Sequence, residues 1–168
     1  ADSKVTGSRT VTVKNGYFED AEGEALFAAR ADAMARTCPD CGDAKQAIAM
    51  QTLAGLRDKK ATAKQLTATG AKGMSTFMSY YILKVMSEGN MTAALQVLRE
   101  YYGGMLDMGA TTFWEDFHVE WLENAAPIDA PVPEGKKDLH GDFGDFCYKG
   151  FRHSFCHGWS SGPVPFLA

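Results

Sequence analysis

The sequence predicts an all-α protein built from helix pairs, on three observations. Helix-length segments rich in strong helix formers follow one another between glycine, proline and asparagine breaks. Strand–helix–strand alternation is missing from the pattern, so a parallel sheet is not expected. The 168 residues, 45% hydrophobic and 23% charged, match one domain of ordinary globular composition.

The first twenty residues differ from the rest of the chain. Residues 4–14 alternate Val and Thr with polar residues, which predicts one short strand, and Asn15-Gly16 then marks a turn. The pattern shows no second strand. We therefore expect this strand to pair with something outside the chain, or to form an extended arm or linker over residues 1–20.

Five segments carry helical patterns. The first, residues 21–37, has acids in its first turn and arginines in its last, which suits the helix dipole. Pro39 and Gly42 end it. Asp43 is the expected N-cap of the second helix, residues 43–57. The other three predicted helices span residues 60–69, 74–86 and 91–107.

The predicted helix at 74–86 has large apolar side chains on nearly every face. Such a helix is expected in the interior of a larger helical assembly. The proline-rich segment 125–137 is predicted to be a loop. Beyond it, Ser160-Ser161-Gly162-Pro163 has the composition of a helix start, with proline in the first turn.

The charge pattern argues against two classes of partner. The net charge of −4 gives no electrostatic reason to expect nucleic acid or an anionic membrane. The basic runs, 57–60 and 136–137, are too short to follow a phosphate backbone. The apolar runs are all shorter than the roughly 20 residues that span a bilayer.

Four cysteines are present, at Cys38, Cys41, Cys147 and Cys156. Cys38 and Cys41 form a C-x-x-C motif, but it ends a predicted helix, whereas a thioredoxin-like motif follows a strand. A zinc site needs two further ligands, and the remaining cysteines, with His153 and His157, lack the standard paired spacing. Inert or disulfide-forming cysteines are therefore favoured, and a Cys/His metal-binding protein is the less favoured alternative.

The stretch from Gly109 to Trp121 has the most unusual composition. It holds three carboxylates, one imidazole, two indoles and two phenylalanines: Glu115, Asp116, Glu120, His118, Trp114, Trp121, Phe113 and Phe117. Flat apolar rings beside acids and imidazole suit a sugar site, where rings stack on a pyranose and acids handle protons. The alternative is a surface segment with core aromatics and solvated acids.

A second segment, residues 153–159, carries two of the four histidines. His157 is flanked by Gly158 and Trp159, so the backbone can approach a ligand beside an indole. His153 is interpreted as a buried histidine whose hydrogen bonds are satisfied within the protein.

Two motifs together resemble a known family. Gly109-Ala-Thr-Thr-Phe-Trp-Glu115 is similar to the Gly-Ala-Thr-Thr-x-Trp-Glu motif of bacterial α-L-rhamnosidases. Ser154-Phe-Cys-His-Gly-Trp-Ser-Ser-Gly-Pro163 is similar to the Ser-x-x-His region of the same family and the glycine that follows it. Those enzymes are inverting glycoside hydrolases with an (α/α)₆ barrel of helix pairs. The resemblance implies that residues 21–168 are the C-terminal portion of such a barrel.

The resemblance also implies what this chain lacks and what it contributes. The family's general acid lies in an Asp-rich motif upstream of the barrel helices, and a β-sandwich follows the barrel; neither has a counterpart here. We therefore expect the chain to work with the remainder of the same polypeptide. Half a barrel is expected to leave one side of the 74–86 helix uncovered.

The resemblance assigns the site residues as follows. Glu115 is the general base, one of two carboxyl groups that an inverting glycosidase holds roughly 6.5–9.5 Å apart. The expected substrate-binding residues are Trp114 as an apolar wall, Thr112 as a hydroxyl that fixes the loop or reaches the ligand, His157 as a hydrogen-bond partner of a sugar hydroxyl, Trp159 as the residue that closes the pocket, and Asp116 as a supporting acid. The implied substrate is a terminal α-L-rhamnosyl residue of a glycoside or polysaccharide, with no metal or other cofactor. A helical module that binds a sugar without cleaving it is the alternative.

Overall fold

The computed structural model describes residues 12–14, 17–19, 21–37, 40–141 and 153–168. Two compact units are present, residues 1–40 and residues 41–168. Helices account for most of the described residues, which confirms the predicted all-α class. Within the described ranges, no helix combines the length and the apolar character needed to cross a membrane.

The first unit contains a hairpin and a helix. Strand β1, Thr12–Lys14, pairs antiparallel with β2, Tyr17–Glu19. Helix α1, Ala21–Arg36, follows. The expectation of a strand without a partner in this chain was wrong. The partner strand has only three residues, too few for an alternating pattern to stand out, although Asn-Gly between two strands is typical of a tight hairpin. Helix α1 belongs to this unit, whereas the sequence places the boundary at residue 20.

The second unit is a helical core. Its helices are α2 (Lys45–Leu53), α3 (Lys59–Ala68), α4 (Ser79–Gly89), α5 (Met91–Asp107), α6 (Trp121–Asn124) and α7 (Pro163–Leu167). A 3-10 turn, Gly158–Ser160, precedes α7. Helix α4 is central, because it contacts α2, α3, α5 and α7.

Side-chain caps set the start of two of these helices. The Asp58 carboxylate accepts a hydrogen bond from the Ala61 N–H at 2.8 Å at the start of α3. Asn90 Oδ1 accepts from the Ala93 N–H at 3.1 Å at the start of α5. Helix α2 has no side-chain cap: Ala44 occupies the N-cap position, so the expectation for Asp43 was wrong by one residue.

Helix α4 begins five residues later than its pattern suggests. Two local hydrogen bonds hold the preceding residues in turns: Ser75 Oγ accepts from the Met78 N–H at 3.4 Å, and Ser79 Oγ donates to the Thr76 carbonyl at 2.9 Å. The helix is not buried on every face, because Tyr81 and Lys84 are exposed.

The buried face of α4 lies in the middle of a closed core. Ile82, Leu83, Val85 and Met86 have no exposed surface. On α4 itself, exposure of a large apolar side chain is limited to Tyr81, at 38%, which is less than the uncovered apolar side that half a barrel predicts. The core continues under the Gly109–Trp121 stretch, where the Tyr101 hydroxyl donates to the Phe117 carbonyl at 2.7 Å.

Candidate functional site

Two segments distant in sequence pair side by side. The Glu115 N–H donates to the Ser154 carbonyl at 2.8 Å, and the His157 N–H donates to the Phe113 carbonyl at 2.7 Å. The Ser160 hydroxyl adds a bond to the Trp114 carbonyl. The structure thus brings together the two motifs on which the resemblance rests.

Glu115 is half-buried and is held at both ends. Its Oε2 accepts a hydrogen bond from the Ser154 N–H at 3.0 Å. Its carbonyl oxygen accepts from the Thr76 hydroxyl and from Trp159 Nε1, the latter at 3.0 Å. Two separate parts of the chain, the turn at Thr76 and the segment 154–159, therefore fix the position of this residue.

A cleft of about 430 Å³ opens beside Glu115. Its lining residues are Gln46, Ser75, Thr76, Phe77, Met78, Glu115 and Trp159. The rings of Phe77 and Trp159 lie 5.4 Å apart between centroids, and these side chains are 53% and 43% exposed. Among the described residues that line the cleft, Glu115 is the one carboxylate.

Phe77 and Met78 were missed from the sequence. Their apolar character assigned them to a buried helix, and no local signal distinguishes them from core residues. In the structure they lie just before α4, in the turns at its start, where Phe77 turns toward Trp159. Gln46, on α2, was missed because single polar residues on helices carry no specific signal.

His157 lies against Trp159 and is not among the residues that line the cleft. The two ring centroids are 4.3 Å apart, at an interplanar angle of 45°. The indole therefore contacts both His157 and Phe77. Trp159 lines the cleft, whereas His157 contacts the cleft only through Trp159.

Trp114 lies in the core. Its side chain has no exposed surface and packs against Phe117, His153 and Phe155, with centroid distances between 5.0 and 6.3 Å. The expectation that Trp114 forms the apolar wall of the sugar site was wrong, because a fully buried indole presents no face to a ligand. Phe77 and Trp159 form the exposed aromatic surface instead.

Thr112 fixes the loop and does not line the Glu115 cleft. Its hydroxyl donates to the Phe155 carbonyl. The residue borders a different cleft, of about 280 Å³, together with Met105 and Phe113. Two roles were expected for Thr112, fixing the loop or reaching the ligand. Its hydrogen bond to Phe155 agrees with the first, and its absence from the lining of the Glu115 cleft argues against the second at that cleft.

Asp116 is 2% exposed, and its carboxylate is engaged inside the protein. Oδ1 accepts from the Phe117 N–H at 2.9 Å, and Oδ2 lies 3.3 Å from His118 Nε2. Burial acts to raise the pKa of Asp116, but the His118 hydrogen bond and charge, with the Phe117 N–H, hold it below its ordinary value. Asp116 is thus engaged inside the protein and is not among the residues that line the cleft beside Glu115.

His153 is buried among aromatic rings next to Asp116. Its Nε2 lies 2.9 Å from the Asp116 carbonyl oxygen and 3.2 Å from the Asp116 amide nitrogen. Burial lowers the pKa of His153 below its ordinary value. Within the described residues, Nδ1 has no hydrogen-bond partner. The sequence predicted that the hydrogen bonds of this histidine are satisfied within the protein, and this holds for Nε2 alone.

The cysteine predictions fall partly outside the described residues. Cys38 and Cys147 lie there, and with them the C-x-x-C motif. Cys41 Sγ donates to Gln51 Oε1 at 3.3 Å, and Cys156 is exposed. In the part of the chain that the structure describes, no group of three or more His, Cys, Asp or Glu side chains is arranged to hold a metal ion.

The sequence and the structure were also compared with known proteins. No family model matches the chain, and neither a curated protein nor a solved structure matches it.

Proposed function

We propose that this chain carries the general base of an inverting glycosidase that removes terminal α-L-rhamnosyl residues, with Glu115 as the base. The observation that carries the proposal is the cleft in which a fixed carboxylate lies beside two exposed aromatic rings. The proposal that the sugar is L-rhamnose rests on the similarity of residues 109–115 and 154–163 to the rhamnosidase motifs.

The anchoring of Glu115 suits a base that activates water. A general base must hold the attacking water in line with the sugar carbon, and misplacement by about 1 Å costs about 10²-fold in rate. The Ser154 N–H fixes one carboxylate oxygen, while Thr76 and Trp159 fix the backbone. Little reorganisation is then needed during the reaction.

The cleft walls suit a 6-deoxy sugar. Phe77, Met78 and Trp159 offer apolar surface for the pyranose face and its C6 methyl group. Gln46 adds a polar side chain to the lining, while Ser75 and Thr76 are buried and hydrogen-bonded within the protein. His157 contributes by holding the Trp159 indole in place.

The second carboxyl group of the mechanism comes from outside this cleft lining. An inverting enzyme needs a general acid across the sugar from the base, and Glu115 has no acidic neighbour among the described lining residues. We assign the acid to the remainder of the polypeptide, within an (α/α)₆ barrel to which residues 21–168 contribute.

The full-length gene product, incubated with an aryl α-L-rhamnoside, tests this proposal. Proton NMR during the first minutes identifies the anomer released before mutarotation. We expect β-L-rhamnose first. Release of α-L-rhamnose first would show a retaining reaction and contradict the role of Glu115 as a base, and a failure to release the aryl group would contradict the function.

A sugar-binding module is the second candidate, favoured by the single carboxylate in the cleft lining. It predicts saturation-transfer NMR signals from L-rhamnose on the full-length protein, lost on replacing Trp159, without any hydrolysis. Hydrolysis with turnover excludes it.

A further inference from the structure

His153 contacts the polypeptide at the residue next to Glu115. Its Nε2 faces both polar groups of the Asp116 backbone, at 2.9 Å from the carbonyl oxygen and 3.2 Å from the amide nitrogen. His153 is also the immediate neighbour of Ser154, whose N–H meets the Glu115 carboxylate. One imidazole therefore links the two segments that meet at Glu115.

The pairing of these segments determines where the Glu115 carboxylate lies. Glu115 and Ser154 exchange two hydrogen bonds, one from the Glu115 N–H to the Ser154 carbonyl and one from the Ser154 N–H to Glu115 Oε2. The second bond forms only if residues 115–116 and 153–154 keep their relative positions. The contact of His153 with the Asp116 backbone is the next link along this pairing.

We infer that His153 is a positioning residue: a hydrogen bond between its Nε2 and the Asp116 backbone holds the Ser154 N–H against the Glu115 carboxylate. This inference rests on the proposed function, in which Glu115 is the base. His153 itself does not touch the substrate, since it is buried against Trp114, Trp121 and Phe155.

The surroundings of His153 explain the choice of side chain. A flat ring packs against its aromatic neighbours, and a polar atom at the edge of that ring hydrogen-bonds the Asp116 backbone. The charged and titratable groups that act on it are Asp116, Glu115 and His118. Phenylalanine would keep the ring and lose the polar edge, whereas glutamine would keep a polar group that either donates or accepts.

The test compares His153→Phe with His153→Gln in the full-length gene product. Steady-state kinetics with an aryl α-L-rhamnoside give kcat and KM separately, and crystal structures give the distance from Ser154 N to Glu115 Oε2. For His153→Phe we expect kcat to fall about 10²-fold, with KM changed less than about threefold, because a misplaced base weakens the transition state and not substrate binding. In this variant the Ser154–Glu115 hydrogen bond should be lost.

For His153→Gln we expect kcat within about fivefold of the wild type, because the glutamine amide can hydrogen-bond the Asp116 backbone in place of Nε2. We also expect the distance from Ser154 N to Glu115 Oε2 to stay near the present 3.0 Å. Equal kcat values for the wild type and His153→Phe would overturn the inference. If His153→Phe does not fold, the inference is tested with the folded His153→Gln variant. A loss of kcat of about 10²-fold in that variant contradicts a role for the hydrogen bond to the Asp116 backbone, and a near-normal kcat supports it.

The structural measurement separates this inference from the proposed function. A wild-type protein that cleaves no rhamnoside contradicts the function. In that case the crystal structures still decide the inference: loss of the Ser154–Glu115 bond in His153→Phe and its retention in His153→Gln support the positioning role. Retention in both variants contradicts it.

Discussion

Glu115 shows how one residue is fixed through both its side chain and its backbone. Its carboxylate accepts from a backbone N–H, while its carbonyl accepts from the side chains of Thr76 and Trp159. The same Trp159 side chain lines the cleft. A change at Trp159 is therefore expected to affect both the position of Glu115 and the aromatic surface of the proposed sugar site.

Replacing Trp159 with alanine should weaken binding of L-rhamnose about tenfold, since an aromatic contact and the apolar surface behind it are lost. Saturation-transfer NMR titration of the full-length protein measures this. Val164→Ala, on the exposed side of α7, is the control, because Val164 is not among the residues that line the cleft. An unchanged affinity in the Trp159 variant would show that the indole does not contribute to binding of L-rhamnose.

Lys45 is a buried amine away from the cleft that Glu115 lines. Its side chain is 4% exposed, and Nζ donates to the Gly70 carbonyl after α3. Burial lowers the pKa of Lys45 from 10.5 to about 8, against the opposing charge of Glu100. In the unfolded chain the amine keeps its proton up to about pH 10.5, so between these two pH values the unfolded state binds more protons and rising pH favours the folded state.

This shift predicts a specific pH dependence of stability. The free energy of unfolding of the wild type, minus that of Lys45→Met, should increase as the pH rises from 8 toward 10.5. Urea titrations of both proteins over this range measure the difference, in which the titration of other groups cancels. A difference that stays constant with pH would contradict the lowered pKa.

At the scale of elements, the contact between α7 and the start of α4 depends on a glycine. A Cβ at Gly162 would meet Ser79 Oγ and would lie 2.9 Å from the Tyr80 amide nitrogen. Ser79 is fully buried and hydrogen-bonded to the Thr76 carbonyl, so it has little freedom to move. Helix α7 reaches this position only because residue 162 has no side chain.

Gly162→Ala should therefore destabilise the protein by about 1–3 kcal/mol, the usual cost of overpacking. Gly158→Ala is the matched control, since a Cβ there meets nothing within 4 Å. Denaturant midpoints of the two variants, compared with the wild type, give the difference. Equal midpoints would show that α7 does not depend on this close approach.

Local patterns predict some elements well and others poorly, for identifiable reasons. Helix α5 matches its predicted range, 91–107, because Asn90 caps it and its apolar residues recur at helical spacing. Helix α4 starts late because the Thr76 hydroxyl donates to the Glu115 carbonyl, 39 residues away, and Ser75 and Ser79 bond locally. A bond over that distance leaves no periodic signal.

The sequence singles out two segments, and their hydrogen-bonded pairing is seen only in the structure. Residues 113–115 pair with residues 154–157 through backbone hydrogen bonds. Which indole faces the cleft was not predictable, because Trp114 and Trp159 have equally mixed neighbours in sequence. Trp114 is buried because it packs against Phe117, His153 and Phe155. These contacts are visible only in the folded protein.

At the scale of the whole molecule, the helical core and the cleft are coupled through a few buried hydroxyls. The Tyr102 hydroxyl lies 2.7 Å from Ser79 Oγ and 2.9 Å from the Ser160 carbonyl oxygen, and so connects α5, α4 and the turn that carries Trp159. Burial raises the pKa of Tyr102 from 10.0 to about 12, so its hydroxyl keeps the proton beyond the pH at which an exposed tyrosine ionises. The helices thus act as the rigid support on which Glu115 is held.

The proposed role of Glu115 as a general base can be tested with Glu115→Ala in the full-length gene product. With an aryl α-L-rhamnoside we expect kcat to fall about 10²–10⁴-fold, without loss of folding, and added azide to restore turnover with an inverted glycosyl azide as product. Turnover by Glu115→Ala at the wild-type rate would contradict the account.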